Sequence, residues 1–224
     1  LGQVRIGQQF HWQNQGYRTF DDFLGALNSR KRKAIRKERR AVEASGVQLK
    51  ALVGPEIKRL HWDTFYRFYS DTVDRKWANA YLTRDFFHRL GDTLGERVVL
   101  VVAEDQGRMV AGALNLLGAE ALYGRNWGAA GHYKFLHFEA CYYQAIEFAI
   151  RHGLQRVEAG AQGQHKIQRG YMPTPTYSAH WIREAGFRRA VAEFLAQERN
   201  AVTEHMEDLA EARSPFREAI EPEG

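Results

Sequence analysis

The chain is poor in the residues that cross-link, stiffen or anchor proteins. Of 224 residues, one is cysteine, Cys141. That excludes an intramolecular disulfide framework and points to a reducing compartment, the cytoplasm. Five prolines and three methionines leave little room for a proline-rich linker or a methionine-lined surface. The longest strongly apolar run is the short "VVLVVA", far below the roughly 20 residues needed to cross a bilayer. No internal repeat and no low-complexity segment interrupts the chain. His132, His137 and His165 are not spaced as a metal site, so no metal is expected.

What is present is enough apolar material, 44% of residues, to bury the core of a large domain. Net charge is a modest +5, but its distribution is uneven. Residues 29–40, "SRKRKAIRKERR", form a dense basic block, whereas the tail, residues 203–224, carries seven acidic residues against two arginines. An Arg/Lys cluster of this density suits a phosphate-rich partner, or a helix that simply faces water. Aromatic residues are absent from the block, which argues against base stacking.

Periodicity gives the elements. "QQFHWQNQ" alternates as a strand. "TFDDFLGAL" carries an acidic first turn and an apolar stripe, and Asn28 is placed to cap a second, basic helix ending near Gly46. "VQLKALV" alternates again. Two helical patterns follow, the first opened by Pro55 and running to Trp77, the second capped by Thr83. "RVVLVVAEDQGRMVAGALNLL" is two apolar runs around a turn, a hairpin signal, and "EALYGRNWG" reads as a third strand. "KFLHFEACYYQAIEFAIRHG" is a strong helix with Leu136, Ala140, Tyr143, Ile146 and Ile150 on one face. Short strands "LQRVEAG" and "TYSAHWI" and a last amphipathic helix complete the chain. This order predicts an α+β domain whose sheet is mostly antiparallel, with one crossover making a parallel pair.

Between the last two strands lies "AGAQGQHKIQRGYMPTPTYSAHWI", residues 159–182, with glycines, prolines and polar side chains and almost no aliphatic ones. Polar residues leaving the C-terminal end of a parallel strand line a ligand cleft more often than they decorate a surface. Acyl transfer to an amine needs a positioned amine, stabilisation of the developing oxyanion and a proton for the leaving group. Glu158 is read as a general base or amine-binding carboxylate, or else as a strand residue paired with Arg156 or Arg125. His165 is a candidate proton shuttle and Lys166 a cation for an anionic group. Arg169 and Tyr171 are candidates for phosphate binding and leaving-group protonation, with a buried, satisfied Tyr171 hydroxyl as the alternative. Gln162 is a weaker candidate of the same kind. Arg125 and Trp127 are expected at the opposite lip. Cys141, in a helix among aromatics, reads as a buried structural thiol.

The element order resembles the GNAT acyltransferase fold. "LNSRKRKAIRKERRAVEASGVQL" resembles the basic helix that opens the second domain of Fem-type, peptidoglycan-bridge-forming transferases. "FHWQNQGYRTFDDFL", "YGRNWGA", "LHFEACYYQAIEFAI" and "AGAQGQHKIQRGYMPTPTYSAHW" are similar to a bacterial Fem-like family of predicted N-acyltransferases, the peptidoglycan biosynthesis/recognition proteins. The resemblance implies a GNAT-like sheet flanked by helices, preceded by an N-terminal basic helix. It also implies transfer of an acyl or aminoacyl group, from acyl-CoA or aminoacyl-tRNA, to an amine acceptor such as a cell-wall precursor. It allows tRNA as a partner of residues 29–40. A non-catalytic module recognising a phosphate-rich ligand is the alternative. Because the family carries another half before this region, and the chain starts at Leu1, residues 1–20 are read as the end of a preceding region and 21–224 as the acyltransferase domain. "RNWGAA", residues 125–130, fits the GNAT pyrophosphate-loop pattern literally, but that loop must sit at a helix N-terminus, and "GHYK" intervenes.

Overall fold

The structure, a computed structural model, describes residues 2–75 and 80–217; the expected end of the third helix at residues 76–77 and the end of the acidic tail lie outside them. Seven strands form one sheet: β1 (Gln3–Gln13), β2 (Gln48–Val53), β3 (Val98–Asp105), β4 (Arg108–Leu117), β5 (Ala121–Ala129), β6 (Arg156–Glu158) and β7 (Met172–His180). Their order is β2-β3-β4-β5-β6-β1-β7. Every neighbouring pair is antiparallel except β5 and β6, which are parallel. The expected crossover is therefore present. Residues 3–13, set apart in the sequence reading, form an interior strand of this sheet.

Helices α1 (Phe20–Ala26) and α2 (Ser29–Ala44) are separate because Leu27 is extended between them. Thr19 caps α1 through the Asp22 amide in a reciprocal capping box, and the Asn28 side chain accepts from the Lys31 amide to start α2. Each such cap stabilises its helix by about 1 kcal/mol. Helices α3 (Arg59–Asp74) and α4 (Arg84–Leu94) cover one face of the sheet. There Trp62, Phe65 and Phe87 pack with Leu100, Val102 and Leu114. The other face, hereafter the near face, is covered by α1, α2 and the helix after β5. Here Trp12, Phe23, Leu27, Ile35, Tyr143, Ile146, Val157 and Tyr171 are buried together. Strand β3 lies between both layers, so Val98 through Ala103 are all buried, which is why it reads as an unbroken apolar run.

The helix after β5 is not uniform. It begins as α5 (Leu136–Phe138), widens into a π-helical turn at Glu139–Tyr143 and resumes as α6 (Gln144–Arg151). Phe135, which precedes it, takes a left-handed φ of 64°. Such widened turns cluster at functional sites. Strand β7 begins at Met172, earlier than the pattern suggested, and runs through Pro173 and Pro175. It is an edge strand, where a missing N–H costs no ladder bond. The last helix, α7 (Ala185–Arg213), packs on β1 and β7. Among the described residues no helix is long and apolar enough to cross a membrane.

Candidate functional site

Strands β5 and β6 pair only at Ala121↔Arg156, Leu122↔Val157 and Tyr123↔Glu158. Beyond that point β5 continues to Ala129, while the chain leaves β6 in the loop toward β7. The parallel pair therefore opens, and what borders the opening on the near face is a set of rings. Trp127, from β5, packs on His137 at 5.3 Å between centroids. His137, on α5, packs in turn on Tyr142 at 5.4 Å and lies 6.4 Å from His165. The His165 Nε2 and the Tyr142 hydroxyl share a hydrogen bond of 3.1 Å. His137 thus joins the two lips of the opening, one from β5 and one from the loop after β6.

The loop is built around Gln164–Arg169, a 3₁₀ turn between Gly163 at φ 95° and Gly170 at φ 88°. Gly170 combines that backbone with tight packing, since a Cβ there would meet the Phe23 ring at 2.8 Å. Lys166 is buried and its ammonium donates to the carbonyl oxygens of Ala159 and Gly160. Burial pushes this amine down to about 8. Arg169 is buried too. Its Nη2 donates to Glu38 at 2.8 Å, its Nη1 to the His165 carbonyl at 2.9 Å, and its guanidinium lies 3.5 Å from the centre of the Phe138 ring. Tyr171 is fully buried and donates to the Tyr142 carbonyl at 3.0 Å, matching the satisfied-hydroxyl alternative. His165 itself stays exposed. Partial desolvation, then the charges of Arg169 and Lys166, lower its pKa below the ordinary histidine value, which favours the neutral ring.

The structure brings His165, Lys166, Arg169 and Tyr171 together around the turn, with Trp127 across His137. The expected convergence fails for Glu158. Val157 faces the near-face core, so its neighbours Arg156 and Glu158 point to the opposite face. There Glu158 pairs with Arg156 at 2.9 Å and lies 3.6 Å from His11. Burial lowers the His11 pKa, a shift that Glu158 opposes. The cationic pair also differs from expectation, because Lys166 and Arg169 direct their charges at protein groups. Gln162 and Arg125 are exposed, the latter at a β-bulge where Leu114 pairs with Asn126 and Asn115 with Gly124. Cys141 is held protonated by burial, as a structural thiol should be.

Sequence reasoning missed Tyr142, His137 and Glu38 as site residues. Tyr142 and His137 are five residues apart and meet only because of the π-helical turn, which an i, i+3/i+4 reading skips. Glu38 did leave a signal, being the single carboxylate in the basic block.

The basic helix has two sides. Arg39 points inward to Glu139 at 3.0 Å and Glu147 at 2.8 Å, with its guanidinium 4.4 Å from the centre of the Phe20 ring. Lys33, Arg36 and Arg40 are exposed and, with Arg39, line an open groove of about 700 Å³ between α1 and α2.

A comparison with curated proteins returns no match. Among solved structures, L-PGS from Bacillus licheniformis is similar with a TM-score of 0.59 at 12% identity, over 86% of this chain and 67% of that one. The C-terminal domain of a protein described as a lysylphosphatidylglycerol synthetase, from Agrobacterium fabrum, gives 0.58 at 10% identity, over 87% and 66%. FemX gives 0.58 at 11% identity, over 83% and 64%. The chain thus spans about two thirds of the length of these proteins, and at such identities the likeness is one of fold. The family described as peptidoglycan biosynthesis/recognition, FemAB-like, matches residues 2–218, nearly the whole sequence, and the chain belongs to that family.

Proposed function

We propose that this chain transfers an aminoacyl group from an ester donor to an amine acceptor at the β5–β6 opening. The observation that carries the reading is the exposed His165, hydrogen-bonded to Tyr142 and set across His137 from Trp127 where the parallel strands part. An aminolysis needs little more from side chains. The acceptor nitrogen attacks the ester carbonyl carbon, and His165 takes on Nδ1 the proton that the nitrogen loses, while its Nε2–H donates to the Tyr142 oxygen and leaves the Tyr142 O–H free. The carbonyl oxygen gains negative charge as the C–N bond forms. The Tyr142 hydroxyl, kept protonated by burial, is a donor for that charge. The C–O bond then breaks, and the imidazolium returns the proton to the departing alcohol oxygen.

An ester donor such as aminoacyl-tRNA is favoured over acyl-CoA by the place of "RNWGAA". Arg125 through Ala129 lie within β5, and the next helix begins only at Leu136. Gly128 is there for packing, because a Cβ would come within 2.6 Å of the Phe68 backbone. That stretch therefore gives no amide cradle at a helix N-terminus for a pyrophosphate. The outer cations of α2 are the proposed contact for the phosphates of the donor. The family and the FemX and L-PGS similarities support aminoacyl transfer in cell-wall or lipid biosynthesis as the setting.

The test is to offer the purified protein labelled charged tRNA pools and, separately, labelled acyl-CoAs, each with nucleotide-linked peptide precursors as amine acceptors. Amide product from the tRNA arm supports the reading. Product from the acyl-CoA arm alone overturns the donor, and ligand binding without product in either arm favours a recognition module.

A further inference from the structure

Glu38 stands alone as a carboxylate among the cations of residues 29–40. On a solvated basic helix it would face water with its neighbours. Instead its side chain is turned inward and mostly buried, at 16% exposure against 8% for Arg169. Both oxygens are used. One accepts from Arg169 Nη2 at 2.8 Å and the other from the Tyr143 hydroxyl. Arg169 continues the chain of contacts, since its Nη1 donates to the His165 carbonyl at 2.9 Å.

The loop needs such a hold. It leaves β6 after Glu158, turns at three glycines of positive φ, Gly160, Gly163 and Gly170, and rejoins at Met172. Ala159 and Gly160 still exchange backbone bonds with Phe10 of β1, but from residue 161 to Tyr171 the backbone bonds among the described residues are the local ones of a short 3₁₀ turn. Its orientation therefore depends on side chains: Ile167 and Tyr171 are buried in the core, and two cations tie the turn by charge. Lys166 ties the turn to the carbonyls of Ala159 and Gly160, and Arg169 ties it to Glu38 and, face-on, to the Phe138 ring at 3.5 Å. His165 sits next to both ties, with its own ring against Tyr142.

We propose that Glu38 is a positioning residue: by clamping Arg169 it fixes the His165 backbone, and so the direction in which the imidazole meets Tyr142 and the strand opening. The importance of this clamp for turnover rests on the transfer role proposed for His165, but the clamp itself can be read without any substrate. The basic helix then has a double task. Its outer side faces solvent, while its inner side holds the loop at the site.

The experiment uses Glu38→Gln in the full chain, with Arg169→Lys as a second variant. The lysine keeps a charge opposite Glu38 but loses the second donor to the His165 carbonyl, so it cuts the relay even if the glutamine variant fails to fold. Hydrogen exchange of residues 164–169 and the ring contacts of His165 with Tyr142 by NMR are compared with exchange in β3. The expected result is at least tenfold faster exchange in the loop, weakened His165–Tyr142 contacts and unchanged protection in β3. With an active donor, kcat falls and KM changes little. Loop exchange equal to that of the unmodified protein, or rising in proportion with β3, would overturn the proposal. A loosened loop in a protein that no donor activates leaves the clamp standing and removes the transfer reading instead.

Discussion

The two faces of the sheet at the β5–β6 opening carry different chemistry, although the residues on them are neighbours in sequence. On the near face, His165, Tyr142, His137 and Trp127 form a wall of rings with an imidazole exposed. On the far face, Glu158, Arg156 and His11 form a small polar cluster tied by charge. The division follows from strand geometry alone. Side chains alternate, so Val157 pointing into the near-face core sends both of its neighbours the other way. The lesson is that a carboxylate seven residues from a candidate histidine is not thereby its partner. The near face is the one on which transfer is proposed.

The comparison breaks most visibly at Arg169, which holds the near-face loop. Replacing it with methionine leaves the mostly buried Glu38 carboxylate without its cation, so a loss of about 3–5 kcal/mol in unfolding free energy is expected. Urea titration measures it. A loss below about 1 kcal/mol would mean that the Glu38–Arg169 tie does not hold the near face together.

Lys166 gives the next effect, and it is one of pH. Burial lowers its pKa in the folded protein to about 8, against an ordinary value of 10.5. Between those values the unfolded chain holds the proton that the folded chain has released. The unfolded state therefore binds more protons, and this residue makes stability rise with pH across that window. Below it the cost of burying the charged amine is constant. The difference in stability between the unmodified protein and Lys166→Met should shift toward the unmodified protein between about pH 8 and 10.5, by at most about 3 kcal/mol. A flat difference over the same range would show that the carbonyls of Ala159 and Gly160 hold the ammonium fully charged.

How much of this was legible in the sequence depends on the length scale of each signal. The caps at Asn28 and Thr83 are local and were read from residue type, whereas at Thr19 only the acidic first turn beside it was. So were the β3–β4 hairpin and the apolar stripe of the long helix. The loop at 159–171 stood out because its composition departs from a core strand. Its internal wiring did not, because Lys166 and Arg169 look like ligand cations until their partners are known. Those partners are backbone carbonyls and a glutamate on a distant helix. The meeting of His137 with Tyr142 was hidden by an irregularity in the helix that leaves no mark in apolar periodicity.

A smaller effect separates the two sides of α2. Reversing Lys33, Arg36 and Arg40 to glutamate should weaken tRNA binding at least tenfold at low salt and much less at high salt, since released counterions set that dependence. The fold should remain, because Arg36 has a surface pair with Asp21, more than half exposed on both sides, while Arg39 holds the interior. Equal binding at low salt would leave the groove without a phosphate partner. Smallest of all is the expected effect of Glu158→Gln on stability, within about 1 kcal/mol by thermal or urea unfolding, since its ion pair with Arg156 is partly exposed.

The most direct test sets the two faces against each other in one assay. Transfer rates of the unmodified protein, His165→Gln and Glu158→Gln are measured side by side with the donor that supports product formation. The near-face account predicts a fall of about 10²–10⁴-fold for His165→Gln, the usual contribution of a general base, and a rate within about threefold of the unmodified protein for Glu158→Gln. The reverse pattern, with His165→Gln fully active and Glu158→Gln inactive, would contradict it and move the chemistry to the far face.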